Sequence, residues 1–237
     1  MLQALRAFCA RKVGNRGRGA PLRRKGDVLA YKVLIVDDHP MCGAALAMAT
    51  RAVDSGALVE QVESLGAAEA KARDSGFDLV LLDLMLPDVA GMGGLLLLKH
   101  MLPGATLAVV SSREDPAVIR GAAGYGAKGF IPKSASMPDM IEALRKLIAG
   151  ETSFPPRMLD GADDNPGAHR LAELSAAQLR VLRAIASGRQ NKQIAFELGI
   201  AEPTVKSHLA AIFRKLDVTN RTQAVLLYQS LDPQPAD

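Results

Sequence analysis

The segments KVLIVDD (residues 32–38) and LVLLD (residues 79–83) decide the fold of this 237-residue chain. Each is a short run of Val, Leu and Ile that ends in aspartate. Runs that are apolar on both faces are typical of strands in a parallel sheet that helices cover on both sides. Three similar runs follow the same pattern elsewhere in the first two thirds of the chain. The predicted strands are Lys32–Val36, Leu58–Val62, Asp78–Leu82, Thr106–Val110 and Lys128–Ile131.

A segment of helical length follows each of these strands, so the chain contains five βα units. Crossovers between parallel strands are right-handed, and such units therefore predict a doubly wound α/β domain with helices on both faces of the sheet. The predicted domain spans residues 31–150. Its helices are Pro40–Val53, Leu65–Ser75, Met92–Met101, Pro116–Ala123 and Met137–Ala149.

A second domain of a different class is predicted in residues 171–237. Residues 151–170 are rich in Gly and Pro and have no apolar period, which is typical of a linker. After the linker every pattern is helical, and Gly199 separates a short helix from a longer one. A short helix, a tight turn and a second helix form a helix-turn-helix. The predicted helices are Ala176–Ser187, Lys192–Leu198, Pro203–Leu216 and Thr222–Ser230.

Composition excludes several classes of protein. Hydrophobic residues make up 49% of the chain, enough for a buried core, and no run approaches the roughly 18 apolar residues of a membrane span. Two cysteines support neither a disulfide scaffold nor a zinc site, so a reducing, cytoplasmic compartment is expected. The net charge of the chain is +4, but residues 1–30, with eight Lys or Arg and one acid, carry +7, so the rest of the chain is net negative. These residues are predicted to be a disordered basic arm, with a transit peptide as the alternative.

Polar residues directly follow four of the apolar runs. They are Asp37, Asp38, Asp83, Ser111 and Lys133. Ligands of open parallel sheets bind at the carboxyl ends of strands, so we expect these side chains to converge. Each alone has a structural explanation; Asp38 or His39, for example, could cap the helix that begins at Pro40. Three converging carboxylates repel one another unless positive charge lies among them, which predicts Mg²⁺ beside the Lys133 ammonium.

This set of groups suits phosphoryl transfer to an aspartate. Asp83 supplies a carboxylate nucleophile, while a cation and an ammonium neutralise the oxygens of the transferring group. Phosphatases of the haloacid dehalogenase type also use a strand-end aspartate. They need a second aspartate two residues later, where this chain has Met85. An enzyme of that lineage is therefore not expected.

Residues 32–150 resemble the receiver domain of two-component response regulators, which has a flavodoxin-like (CheY-like) fold. The resemblance lies in VDDHP (36–40), LLDLMLPDVAG (81–91), VVSS (109–112) and GAKGFIPKS (126–134). It implies that Asp83 accepts a phosphoryl group from a sensor histidine kinase. It also implies no enzyme activity beyond self-catalysed, Mg²⁺-dependent phosphorylation and dephosphorylation.

The receiver resemblance also assigns roles to the surrounding residues. Mg²⁺ would be bound by Asp37, Asp38, Asp83 and the Met85 carbonyl, and Lys133 would pair with the phosphoryl group. Ser111 would move toward the phosphoryl oxygens, with Phe130 as the aromatic switch behind it. Phe130 is equally well explained as a core aromatic.

Residues 171–231 resemble the LuxR-type DNA-binding domain, so the whole chain is similar to NarL/FixJ-type regulators. NKQIA (191–195), TVKSHL (204–209) and IFRKLDVTNRTQAV (212–225) match, whereas LSAAQLRVL (174–182) departs from the family pattern. There Ala177, Gln178 and Arg180 replace the usual Arg and two Glu.

Helical spacing divides the candidate DNA contacts of this domain into two groups. For Arg214 and Lys215 the alternative is that they lie on a solvated helix face and contact no DNA. Base edges would be contacted by Lys206, Ser207 and Ala210, and phosphates by Lys192, Thr204, His208, Arg214 and Lys215.

The predicted function is that of a transcription regulator in the cytoplasm. Phosphorylation would change the receiver face formed by its fourth helix, fifth strand and fifth helix, and the tail would then form a homodimer on two-fold symmetric duplex DNA. Two alternatives remain open. One is a phosphorylation-independent DNA-binding protein whose receiver serves only for dimerisation; the other is an adaptor whose tail binds protein or RNA. No membrane partner is expected.

Overall fold

A computed structural model describes residues 30–89, 91–156 and 170–230, and the first two ranges form the predicted doubly wound domain. All strand pairs are parallel, in the order β2-β1-β3-β4-β5. The strand order reverses beside β1, so the crevice for ligands lies at the carboxyl ends of β1 and β3. The strands are β1 (Lys32–Val36), β2 (Leu58–Val62), β3 (Leu79–Asp83), β4 (Thr106–Ser111) and β5 (Gly129–Pro132).

Helices cover both faces of the sheet because successive side chains of each strand point to opposite faces. Ile35 belongs to one core layer together with Leu46 and Leu144. Its neighbour Leu34 belongs to the other layer, together with Leu95. The helices of this domain are α1 (Pro40–Val53), α2 (Leu65–Asp74), α3 (Gly93–Met101), α4 (Pro116–Gly124) and α5 (Met137–Ile148).

Three strands, β3, β4 and β5, end one residue later than predicted, and the extensions of β3 and β4 bear on the site. Asp83 pairs with Val110 across β3 and β4, and Ser111 pairs with Pro132 across β4 and β5. Asp83 and Ser111 are therefore the last residues of their strands, where ladder pairing fixes the backbone that carries each side chain.

The start of the predicted linker is part of the receiver. Ser153 forms a bridge with Gly129, the Phe130 N–H donates to the Ser153 carbonyl at 2.8 Å, and the Ser153 N–H donates to the Lys128 carbonyl at 2.9 Å. A Cβ at position 129 would lie 2.7 Å from that Ser153 carbonyl, so the glycine is what permits this approach. Ser153, a residue of the predicted linker, thus pairs through its backbone with the edge strand β5.

The basic arm lies almost entirely, and the linker mostly, outside the described residues, in 1–29 and 157–169. Both stay predictions, as do the domain boundaries drawn through them. Within the described part of the chain, no helix combines the length and the apolar character needed to cross a bilayer.

The tail consists of four described helices, and capping residues mark several of their ends. The Ser175 hydroxyl and the Gln178 side chain form a reciprocal capping box at the first helix. Gly199, with φ of +64°, makes the left-handed turn between the second helix and the third. Ala201 supplies no side-chain cap to the third helix, as its sequence predicts. The helices are α6 (Ala176–Ala186), α7 (Asn191–Leu198), α8 (Glu202–Leu216) and α9 (Arg221–Gln229).

Asp88 joins the segment after β3 to the start of α2. Its Oδ1 accepts from the Leu65 N–H at 3.0 Å and its Oδ2 from the Gly66 N–H at 2.8 Å. Both donors belong to the first turn of a helix, where backbone N–H groups have no partner within the helix. The Ser64 hydroxyl caps the same turn through the Ala67 N–H at 3.2 Å.

We expect Asp88→Ala to lower the free energy of unfolding by about 1–2 kcal/mol, because two helix-terminal donors lose their acceptor. Asp88→Asn keeps an amide oxygen that serves one donor, and should cost less. Urea denaturation followed by circular dichroism measures both variants. Asp74→Ala, at the exposed end of the same helix, is the control and should change stability by no more than about 0.5 kcal/mol. Equal stability of Asp88→Ala and wild type would contradict the capping role.

Candidate functional site

The strand ends bring three of the predicted site residues into direct contact. The Lys133 Nζ atom lies 2.7 Å from Asp83 Oδ2 and 3.0 Å from Asp37 Oδ1. Both carboxylates are buried, whereas 15% of the lysine side chain is exposed. The lysine is positioned by its own backbone, whose N–H donates to the Ser111 carbonyl at 2.9 Å. The predicted convergence of β1, β3 and β5 at one edge of the sheet is therefore observed.

The neighbouring residues Asp38 and His39 complete an acidic cluster. His39 Nδ1 lies 2.8 Å from Asp38 Oδ1, 3.4 Å from Asp37 Oδ1 and 4.0 Å from Asp83 Oδ2. His39 occupies the N-cap position of α1, but its side chain makes no capping hydrogen bond. The helix cap that its sequence position allowed is therefore not formed by this side chain. The sequence analysis did not predict that the His39 ring contacts the carboxylates. Its position directly after Asp37 and Asp38 was the one sequence feature that pointed to this contact.

Burial and neighbouring carboxylates shift the pKa values of two side chains at this edge, Lys133 and Cys42. Burial lowers the pKa of Lys133, but hydrogen bonds to Asp83 and Asp37 outweigh it and raise that pKa above its usual value. Burial also raises the pKa of the neighbouring Cys42 thiol to about 12, aided by a hydrogen bond to Asp37. The cysteine is therefore protonated, and the lysine charged, at neutral pH.

The carboxylates suit a hard divalent cation. One ligand atom from each of Asp37, Asp38, His39 and Asp83 lies within 4.8 Å of the others. Asp37 Oδ2 is buried and has no hydrogen-bond partner among the described atoms. Oxygen donors of this kind are what Mg²⁺ prefers, and a bound cation would satisfy the unpartnered oxygen.

The remaining predicted receiver residues surround this cluster. The Ser111 side chain is fully buried, and its Oγ accepts from the Arg113 N–H at 3.1 Å, so the hydroxyl here caps a turn. Phe130 is 2% exposed and lies in the core. The Met85 side chain is half exposed, while its N–H donates to Asp83 Oδ1 at 3.0 Å. Chemically, the edge combines an anchored carboxylate, a fixed ammonium and further anionic oxygen ligands.

Most candidate DNA contacts of the tail are exposed to solvent. Lys206 is partly neutralised by Glu202, whose Oε1 lies 3.3 Å from the lysine Nζ. The Ser207 hydroxyl donates to the Pro203 carbonyl at 3.1 Å. His208 is half-buried. The exposed candidates are Lys192, Thr204, Lys206, Ser207, Ala210 and Arg214.

Lys215 is turned toward its own domain. Its Nζ donates to the Glu173 carbonyl and to Gln178 Oε1, each at 2.9 Å. Gln178, one of the residues that depart from the LuxR-type pattern, is thus an acceptor inside the tail. A phosphate contact by Lys215 would require the lysine to leave these partners.

Comparison with known proteins agrees with both halves of this description. Residues 33–145 match the family model described as a response regulator receiver domain, and residues 172–228 match that of bacterial regulatory proteins of the luxR family. The glycerol metabolism activator of Pseudomonas putida is 36% identical over 85% of this chain and 96% of its own length. The transcriptional regulatory protein YdfI of Bacillus subtilis is 30% identical over 83% and 94%. RcsB of Salmonella typhimurium, 21% identical, shares the fold with a TM-score of 0.50 over 83% of this chain and 97% of that one.

Removal of the Lys133 charge should destabilise the receiver. We expect Lys133→Met to lower the free energy of unfolding by about 3 kcal/mol, because two buried carboxylates lose their counter-charge. Since folding raises the pKa of Lys133, this contribution is complete at neutral pH and disappears only as pH rises past the raised value. Thermal denaturation with and without millimolar Mg²⁺ measures the effect, and Mg²⁺ should raise the midpoint of the variant more than that of wild type.

Lys146→Met is the matched control for this prediction. Lys146 is exposed and lies 3.9 Å from Glu142 on the same helix. Such pairs contribute little, so its loss should change stability by no more than about 0.5 kcal/mol. Similar losses in the two variants would show that the Lys133 contacts do not stabilise the site.

Proposed function

Since the chain belongs to the response regulators that have a LuxR-type DNA-binding domain, we propose that phosphorylation of Asp83 by a sensor histidine kinase controls the binding of its tail to duplex DNA. The observation that carries the proposal is the pairing of Asp83 with Lys133 at 2.7 Å beside two further acids. The protein acts as a regulator, and its own chemistry is limited to self-catalysed transfer and loss of the phosphoryl group. Its place of action is the cytoplasm, where DNA and the kinase domain are both accessible.

The proposed transfer moves a phosphoryl group from a histidine nitrogen to an oxygen of Asp83. A P–O bond forms as the P–N bond breaks, and the histidine nitrogen leaves with the bond's electron pair. Asp37, Asp38, Asp83 and the Met85 carbonyl would hold Mg²⁺, which when bound neutralises charge on the phosphoryl oxygens. The Lys133 ammonium pairs with the same oxygens, so it exchanges a carboxylate partner for a phosphoryl one.

Ser111 and Phe130 would convert this local change into a change of the receiver surface. The Ser111 hydroxyl leaves the Arg113 N–H, its partner at 3.1 Å, and donates to a phosphoryl oxygen. Phe130 is a buried residue of β5, and its ring would move into the space that the serine leaves. It has no hydroxyl, so the switch in this chain works by packing alone.

DNA recognition is proposed for the exposed surface of α7 and α8. A helix of 15 residues fits the major groove, and the surface exposes two lysines and an arginine, Lys192, Lys206 and Arg214. Two tails acting as a homodimer would read two-fold symmetric sites with half-sites about one helical turn apart. An adaptor whose tail binds RNA or protein would instead show no salt-dependent affinity for duplex DNA.

Asp83→Asn should abolish labelling by acetyl phosphate with Mg²⁺, because an amide is not a nucleophile for phosphorus. Intact-mass spectrometry detects the added phosphoryl group. Asp88→Asn removes a carboxylate five residues away, where it caps α2, and should still be labelled. Equal labelling of the Asp83→Asn variant would refute the assignment, and DNA binding unaffected by labelling would favour the phosphorylation-independent alternative.

Lys206→Ala and Arg214→Ala should weaken DNA binding in different ways. If Lys206 donates to a guanine, its loss should cost about 1–3 kcal/mol on the specific site and relax the preference at one base pair. Arg214→Ala should weaken specific and scrambled duplexes alike, with a shallower dependence on salt. Titrations of both duplexes at two salt concentrations separate these results. Wild-type affinity in both variants would place the DNA-binding surface elsewhere.

A further inference from the structure

His39 places an imidazole nitrogen among the acids at the carboxyl edge of the sheet. Its Nδ1 atom lies 2.8 Å from Asp38 Oδ1, and Asp37 and Asp83 are the next nearest acids, at 3.4 Å and 4.0 Å. This nitrogen and one carboxylate oxygen from each of the three acids all lie within 4.8 Å of one another. The edge therefore offers a nitrogen donor in addition to the oxygen donors that Mg²⁺ prefers.

The contact between His39 and Asp38 is not a hydrogen bond. Asp38 Oδ1 is buried and has no hydrogen-bond partner among the described atoms, although the imidazole nitrogen is only 2.8 Å away. No proton of the ring is therefore directed at this oxygen, and two atoms with lone pairs lie in contact. Adjacent ligands of a six-coordinate ion with bonds of about 2.1 Å lie roughly 3 Å apart. The nitrogen and the oxygen thus have the spacing of two neighbouring ligands of one cation.

A second buried oxygen of the same cluster has no partner. The Asp37 side chain is 1% exposed, and its Oδ2 has no hydrogen-bond partner among the described atoms. Its other oxygen, Oδ1, already accepts from the His39 N–H at 2.8 Å and from the Lys133 ammonium at 3.0 Å. Buried carboxylate oxygens are rarely without a partner, so Asp37 Oδ2 and Asp38 Oδ1 together indicate a cation that contacts both residues.

The Nδ1 atom of His39 has a lone pair available to a cation. The Lys133 Nζ atom lies 3.4 Å from it, and an ammonium can only donate, so Nδ1 faces the lysine as an acceptor. The backbone fixes the residue that carries the ring, because the His39 N–H is bonded to Asp37 and Pro40 begins α1 directly afterwards. The imidazole is 63% exposed, so it can be replaced without disturbing the core.

We propose that the carboxyl edge of this chain binds a divalent transition-metal ion, with His39 Nδ1 as a ligand beside the carboxylates of Asp37, Asp38 and Asp83. Imidazole suits ions such as Co²⁺ and Zn²⁺, whereas a site made of oxygen atoms alone suits Mg²⁺. The same edge therefore accepts a second class of ion in competition with Mg²⁺. Phosphorylation of Asp83 would then respond to the supply of transition metal, a consequence that rests on the proposed function. Metal binding through His39 does not depend on that function.

Calorimetric titration of the full-length chain with CoCl₂ and, separately, with MgCl₂ tests the role of His39. His39→Ala should bind Co²⁺ at least about tenfold more weakly, since removal of even an outer partner of a metal ligand costs about 10–100-fold in affinity. Its affinity for Mg²⁺ should change by less than about twofold, because the oxygen ligands remain. His100→Ala is the matched control. His100 is also exposed, but its Nδ1 contacts the Leu96 carbonyl at 2.9 Å, so both affinities should equal those of wild type.

Proton NMR of the chain loaded with Co²⁺ detects the ligand directly. A histidine bound to this paramagnetic ion gives strongly shifted imidazole signals, which wild type and His100→Ala should show and His39→Ala should lack. Absence of these signals from wild type, equal Co²⁺ affinity in wild type and His39→Ala, or an equal loss of Co²⁺ and Mg²⁺ affinity in that variant would each overturn the proposal. A failure of Asp83 labelling in wild type would overturn the proposed function and leave these results unchanged.

Discussion

The ammonium of Lys133 is the positive charge on which the carboxyl edge of the sheet depends. Parallel pairing of β1 with β3 brings two buried carboxylates to the same edge, where they repel. The Lys133 Nζ atom lies within 3.0 Å of both carboxylates because the backbone of Lys133 is hydrogen-bonded to Ser111 at the end of β4. The same ammonium therefore matters for stability and for chemistry. A phosphoryl oxygen that bound it would weaken its present contacts with the two carboxylates.

Much of this edge could be predicted from sequence because its signals are local. An apolar run that ends in a polar residue gives both the strand and the point at which the chain leaves the sheet. Asp37, Asp83 and Lys133 each stand at such a point, and the doubly wound fold then brings them together whatever their distance along the chain. The helix-turn-helix could be predicted in the same way, because Gly199 marks the turn and apolar residues recur at helical spacing on both sides of it.

The contacts that the sequence did not predict join residues with no such local signal. Glu69 of α2 and Arg180 of α6 form an ion pair although they are 111 residues apart, and each alone is an ordinary charged residue on a helix. The hint in the sequence was that Arg180 departs from the LuxR-type pattern that the tail otherwise resembles. Ser153 pairs with β5 through its backbone, which no side-chain pattern reports. Lys215 has the spacing of a DNA contact, but Gln178 and a carbonyl hold it inside the domain.

The pairing of Ser153 with β5 limits how far the tail can travel. Sixteen residues remain between Ser153 and Arg170, so these two points can never be more than about 60 Å apart. One tail confined to a sphere of that radius has a local concentration of order 1 mM around its own receiver. A contact between the two domains with a dissociation constant in the millimolar range would then be half formed. Any partner that binds the same face of the tail has to compete with this local concentration, so the length of the tether sets how strong such a partner must be.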